Sequence, residues 1–200
     1  MLFRSNGVGL GDAKVTLRGL SDSYAVFSFD GIPFNDTNGV SHHSWVFFPG
    51  PFLGGAVVDR SPGSAATIGQ ATFAGAVDLR SRVLDSERRT SVTLSAGSWN
   101  TSLVGLEHET GDFGDHASNL LVNVHEMKSD GYQDYNKQDR KAASAKFRTA
   151  LTDSTTLTLW GGAMELTNNT PSIKGVTRAN YDAGNYTAML SGDPTQRSEE

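Results

Sequence analysis

From Thr90 onward the chain alternates between apolar and polar residues, and this period constrains the fold more than any other feature. Val92, Leu94 and Ala96 stand against Ser91, Thr93 and Ser95, and Leu120, Val122, Val124 and Glu126 against Leu121, Asn123, His125 and Met127. The same holds for Ala143, Ala145, Phe147 and Thr149 against Ser144, Lys146 and Arg148, and for Leu157, Leu159 and Gly161 against Thr156, Thr158 and Trp160. A period of two is that of a strand with one apolar and one polar face. Ser102–Glu109 completes a meander of five strands, joined at Asn100-Thr101, Gly111–Asp115, Asp130–Asp139 and Thr152–Ser154. The 22 glycines and 21 serines among 200 residues fit turns and short strands rather than a helical bundle. Two architectures share this pattern. A soluble antiparallel sandwich turns the apolar faces inward, a membrane barrel turns them outward, and the period does not separate them.

Before Val83 the apolar segments are shorter and Gly and Pro crowd between them. Ala13–Arg18 alternates and stops at Gly19, and Tyr24–Phe29 is closed by Asp30-Gly31-Ile32-Pro33, where Gly supplies positive φ and Pro cannot donate to a ladder. Gly55–Asp59 and Ala74–Arg80 are two further strands. Four short strands with long loops predict a small mixed sheet. The change of character falls in the charged stretch Arg82–Arg89.

With 17 Lys+Arg against 22 Asp+Glu there is no basic surplus, so no nucleic-acid partner is expected. The absence of cysteine excludes disulfides and thiolate metal sites. The longest stretch free of charged side chains, Thr37–Val58, is broken by Pro and Gly, and Met1–Arg4 runs into Ser5-Asn6-Gly7 with no apolar h-region. Hydropathy alone points to a soluble protein, but barrel strands leave no such signal. Ser64 lies in Gly63-Ser64-Ala65 rather than a Gly-x-Ser-x-Gly elbow, and no Gly-Lys-Ser/Thr cradle occurs, so no catalytic residues and no enzyme are expected.

Val57–Arg82, with Arg60, Pro62, Gly63, Ser64, Gly69, Gly75, Val77 and Leu79 in order, resembles the end of the plug domain of TonB-dependent outer-membrane receptors. Upstream, Leu17-Arg18-Gly19-Leu20 and Phe29–Asp36 resemble that family's Arg-Gly and Asp-Gly-x-Pro segments; Ser61 stands where the family has Gly. Thr177–Tyr181 and Ser191–Pro194 look like the iron branch of the family. The resemblance implies an α+β plug segment, a small mixed sheet with long loops, over residues 1–83. Over residues 84–200 it implies an antiparallel β-meander forming the N-terminal, incomplete part of a transmembrane β-barrel. It implies a fragment of a receptor in the Gram-negative outer membrane. Such a receptor binds and imports a scarce solute, a ferric siderophore ahead of cobalamin, carbohydrate or other chelates. Its partners would be outer-membrane lipid, the chelate, and the TonB energy-coupling protein, whose contact box lies outside this chain. No cofactor is implied. The alternative is a free-standing soluble β-rich binding or interaction module without transport.

The resemblance also assigns residues. Arg18 and Arg60 match arginines that latch a plug to glutamates of a barrel wall, partners expected beyond Glu200. Asn35, Asn38, His42, His43 and Trp45 match plug apex loops that touch the ligand, with Phe47 and Phe48 as an apolar floor. His42-His43 is not read as a metal site: adjacent histidines point apart, and no carboxylate or cysteine stands at ligand spacing. Asp130–Asp139 has its glycine at the wrong place for a calcium loop and reads as a surface connection. Tyr132 and Trp160 fit the interfacial aromatic girdles of a barrel.

Overall fold

The computed structural model describes residues 2–5, 13–34, 47–61, 73–132, 134, 136–168, 177–187 and 198–199. The chain divides into two compact units, Met1–Arg82 and Val83–Glu200.

In the first unit, β1 (Leu2–Ser5) and β2 (Ala13–Thr16) form a two-stranded antiparallel ribbon. A four-stranded sheet is built from β3 (Ala25–Phe29), β4 (Ile32–Pro33), β5 (Leu53–Asp59) and β6 (Gly75–Ser81) in the order β4-β3-β6-β5. It is mixed as expected: β3 and β6 run parallel, while β4 and β5 pair antiparallel on either side. Two assignments differ from the sequence reading. The Ala13 strand belongs to the ribbon, not to this sheet, and Ile32-Pro33, read as turn, forms its edge strand. Pro33 is tolerated there because an edge strand leaves a missing N–H without consequence.

The β3–β4 turn is an Asp-Gly hairpin with both residues at positive φ, Asp30 at 48° and Gly31 at 82°. Two carboxylates tie it to β6. Asp30 accepts from Ser81 N (2.9 Å) and Ser81 Oγ (2.5 Å). Asp78 accepts from Ser28 Oγ (2.6 Å) and Gly31 N (2.8 Å), and pairs with Arg80 Nε at 2.5 Å. All five residues of β3 are buried, as a central strand requires, and with Phe52, Ala74, Val77 and Leu79 they form the core.

The second unit is the meander. β7 (Arg89–Gly97), β8 (Thr101–Glu109), β9 (Asn119–Ser129), β10 (Gln138–Thr152) and β11 (Thr155–Asn168) pair antiparallel in chain order, with β12 (Ser198–Glu199) on the far edge. A five-residue helix, α1 (Arg178–Asp182), is capped by Thr177, whose side chain accepts from Asn180 N. Among the described residues no helix is long and apolar enough to cross a membrane.

Register places Val92, Leu106, Val124, Ala143 and Ala163 in one row across five strands, with Thr90, His108, Val122, Ala145 and Gly161 in the next row on that face. This face is exposed: Val92 retains 66% of its surface, Leu94 75%, Leu159 55%. The opposite face carries Glu107, Glu109, Asn119, Asn123, His125, Ser129, Gln138 and Ser144, all buried. Apolar-out and polar-in is the reverse of a soluble sandwich. Trp160 is opposite Lys146 and so on the polar face, which removes it from an outward girdle. Tyr132 lies in the β9–β10 connection and meets Trp99 edge to face, centroids 5.3 Å apart.

Candidate functional site

The two sequence-singled arginines are brought together. Leu17 and Leu20 bridge across a tight turn whose tip, Arg18 (φ 55°) and Gly19 (φ 81°), is left-handed. That turn projects Arg18 so that its Nη1 donates to the carbonyl of Arg60, just past β5, at 2.8 Å. Arg60 is held from both sides in sequence. Asp59 folds its carboxylate onto Ser61, accepting from the backbone N–H and from Oγ, each at 2.8 Å, and these bonds hold it below the usual carboxylate range. A Cβ on Gly75 (φ 120°) would stand 2.2 Å from the Asp59 carbonyl, so only glycine lets β6 approach there. Both guanidinium groups sit on exposed residues.

Of the expected apex-loop residues, Asn35, Asn38, His42, His43 and Trp45 lie outside the described residues. Of the two phenylalanines placed with them, Phe47 is exposed, whereas Phe48 stacks on Phe29 at 4.7 Å and meets Phe34 at 4.5 Å. Phe48 is a packing residue of the first unit.

In the second unit the polar face carries a connected network that the sequence reading passed over. Arg89 Nη2 stands 3.6 Å from Glu107 and 3.7 Å from Glu109. Asn123 Nδ2 donates to Glu107 at 3.3 Å, and His125 Nδ1 donates to Asn123 Oδ1 at 3.1 Å, an amide oxygen being able only to accept. Glu109 also accepts the N–H of Asp85, and Asn119 Nδ2 donates to Asp85 O (2.5 Å) and Asp112 Oδ1 (3.2 Å). Asp112 receives Arg148 Nη2 at 2.9 Å and donates its own N–H to Ser86 O at 3.0 Å. The segment leading into β7 is thus bound to the β8–β9 connection by buried side chains. The signal for these residues was in the alternation: neighbouring strands that put Glu107 and Glu109 of β8 and Asn123 and His125 of β9 on one face need a polar surrounding for that face.

Among the described residues no group of three or more His, Cys, Asp or Glu is placed to hold a metal ion.

No family model and no curated protein matches the sequence. Solved structures do. The ferric citrate transporter FecA in its unliganded form matches 94% of this chain and 30% of its own, with a TM-score of 0.70 and 16% identity. The siderophore receptor PiuA from Acinetobacter baumannii matches 84% of this chain and 23% of its own (TM-score 0.65, 17% identity). The ferric-catecholate import receptor Fiu from E. coli K12 matches 81% and 23% (TM-score 0.64, 18% identity). The chain therefore has the fold found in outer-membrane receptors for iron chelates. It spans less than a third of the length of each of these three.

Proposed function

We propose that the chain is part of a TonB-dependent outer-membrane receptor that binds and imports a ferric siderophore. The observation that carries this reading is the orientation of the meander: five strands expose a face whose central rows are apolar, and β8, β9 and β10 bury polar side chains on the other. In water such a face is costly; in hydrocarbon it is the favourable one. The receptors of like fold transport ferric citrate or bind siderophores by their own descriptions, which supports the choice of solute. Residues 84–200 are then barrel wall and residues 1–83 plug. Arg18 and Arg60 act as the plug's latch, and Asn35, Asn38, His42, His43 and Trp45 contact the chelate. TonB supplies the energy that releases the plug.

Expression with a secretion leader and fractionation of the envelope tests the reading. The chain is expected in the outer membrane, extractable only by detergent. A monodisperse monomer in buffer without detergent, with a cooperative melt, would establish the soluble module instead.

A further inference from the structure

On the polar face of the second unit, the cations among the described residues have partners at every row but one. Arg89 faces Glu107 and Glu109, Arg148 meets Asp112, and Lys146 is not free either. Arg140 of β10 is the exception. Its Nε is buried and unbonded, and its guanidinium enters no ion pair or hydrogen bond with the described residues.

Register explains why nothing local pairs with it. Arg140 lies between Met127 of β9 and Leu166 of β11, with Leu103 of β8 beyond Met127. These row neighbours, about 5 Å apart across the strands, are all apolar. The adjoining rows, Ser129-Gln138-Asn168 and His125-Ala142-Met164, hold no acid. The first acid of this face, Glu107, stands two rows away and is already met by Arg89 and Asn123. A guanidinium drawn partly out of water with no acid beside it is costly, and an anion brought to it offsets that cost. The row sets a second condition, because Leu103, Met127 and Leu166 favour an anion carried on an apolar body.

We propose that Arg140 is a specificity residue on the lumen face of the wall, selecting ferric chelates whose iron-binding groups are catecholates. The inference rests on the receptor reading above and narrows its class of solute. A catecholate sets phenolate oxygens on the edge of a flat apolar ring. The planar guanidinium donates its N–H bonds to those oxygens. Met127 and Leu166, on either side of it in the row, take the ring, the thioether being a good partner for an aromatic edge. Ferric hydroxamate is neutral, and ferric citrate is anionic without a ring, so each lacks at least one of the two features.

The test uses the whole chain in detergent micelles, dialysed to equilibrium against radioactive ferric iron chelated by catechol, acetohydroxamate or citrate. The catecholate chelate is expected to be held over the hydroxamate by roughly tenfold, the ratio of one charge-assisted hydrogen bond, with citrate between them. Arg140→Gln should bring that ratio close to one. Arg140→Lys, which keeps the charge without the planar fork, should retain part of it. Met127→Gln should weaken the catecholate chelate and leave citrate unchanged. Circular dichroism checks that the sheet of each variant is intact, and Arg140→Lys and Met127→Gln carry the test where Arg140→Gln does not fold. Equal affinity for the three chelates, or a catecholate preference that survives Arg140→Gln in a folded chain, overturns this proposal and leaves the receptor reading standing. So does binding of none of them by a chain that requires detergent. A monodisperse monomer without detergent overturns both.

Discussion

Arg18 Nη1 reaches the backbone carbonyl of Arg60, 42 residues away, at 2.8 Å. The bond uses a left-handed tip, φ 55° at Arg18, a conformation that costs a non-glycine residue about 1–2 kcal/mol. Asparagine tolerates that conformation but lacks the reach of a guanidinium. Arg18→Asn is therefore expected to change the urea stability of the chain by less than about 1 kcal/mol, since strain relief offsets one exposed hydrogen bond. Under the latch proposal, uptake of ferric chelate by a receptor carrying the change should still fall by roughly tenfold, as expected for losing a coupling between plug states. Full uptake at normal stability would remove Arg18 from the latch.

Asp59 supplies a pH dependence. Its folded carboxylate is held below its ordinary value by the two Ser61 bonds. A group depressed on folding contributes stability above its unfolded pKa and loses it as pH falls through the folded one. The Arg60 turn should loosen only in acid, below the normal range for aspartate. Ser61→Ala removes the hydroxyl donor and keeps the backbone one, so the Asp59 titration, followed by carboxyl carbon chemical shift, should move upward. An unchanged midpoint would mean that the hydroxyl does not hold the charge.

Gly75 is the tightest backbone approach in the same neighbourhood. Alanine there meets both φ 120° and the Asp59 carbonyl, and neither partner is a flexible side chain. Gly75→Ala should cost at least about 2 kcal/mol in denaturant titration. Gly55→Ala, with open space around the added carbon, serves as the control and should cost little.

The reach of the sequence follows from which forces are local. Side-chain alternation is written in neighbouring residues, so all five long strands and their two faces were legible. Pairing is not written there. The Ala13 strand could have joined either sheet, and Ile32-Pro33 became an edge only because Phe29 and Ser28 offered it a partner. Arg18 and Arg60 were visible through motif resemblance, but their contact with each other depends on a turn and a strand end 42 residues apart. Glu109 and Asn119 went unread because they bind the backbone of Asp85, and a backbone acceptor or donor has no residue signature. Helix α1 is too short for a 3.6-residue period to show.

That backbone clamp makes its own prediction. Asn119 is fully buried and its amide bridges Asp85 O and Asp112 Oδ1. Asn119→Ala leaves the Asp85 carbonyl without its donor, while Asp112 Oδ1 keeps Arg148, an expected cost of about 1–3 kcal/mol. Hydrogen exchange should speed up at Asp85 and Asp112 while the centre of β10 stays protected. Uniform acceleration through the sheet would mean that the clamp is inseparable from the fold of the wall.

Val122 distinguishes an apolar face set in hydrocarbon from one set in water. Val122 is 38% exposed on the apolar face, two residues from Val124 and away from the charged row at Glu126. On a soluble surface Val122→Arg is nearly neutral, within about 0.5 kcal/mol. In the hydrocarbon middle of a bilayer the same arginine costs about 2–4 kcal/mol, and less toward the headgroups. Reversible unfolding from vesicles should therefore show a large penalty at Val122 and a small one for Thr167→Arg, which lies past the charged row on the same face. A penalty that falls along the strands from Val122 to Thr167 is what hydrocarbon depth imposes on an exposed apolar face, and water imposes none. Equal and small penalties at both positions would place the apolar face in water and end the receptor reading.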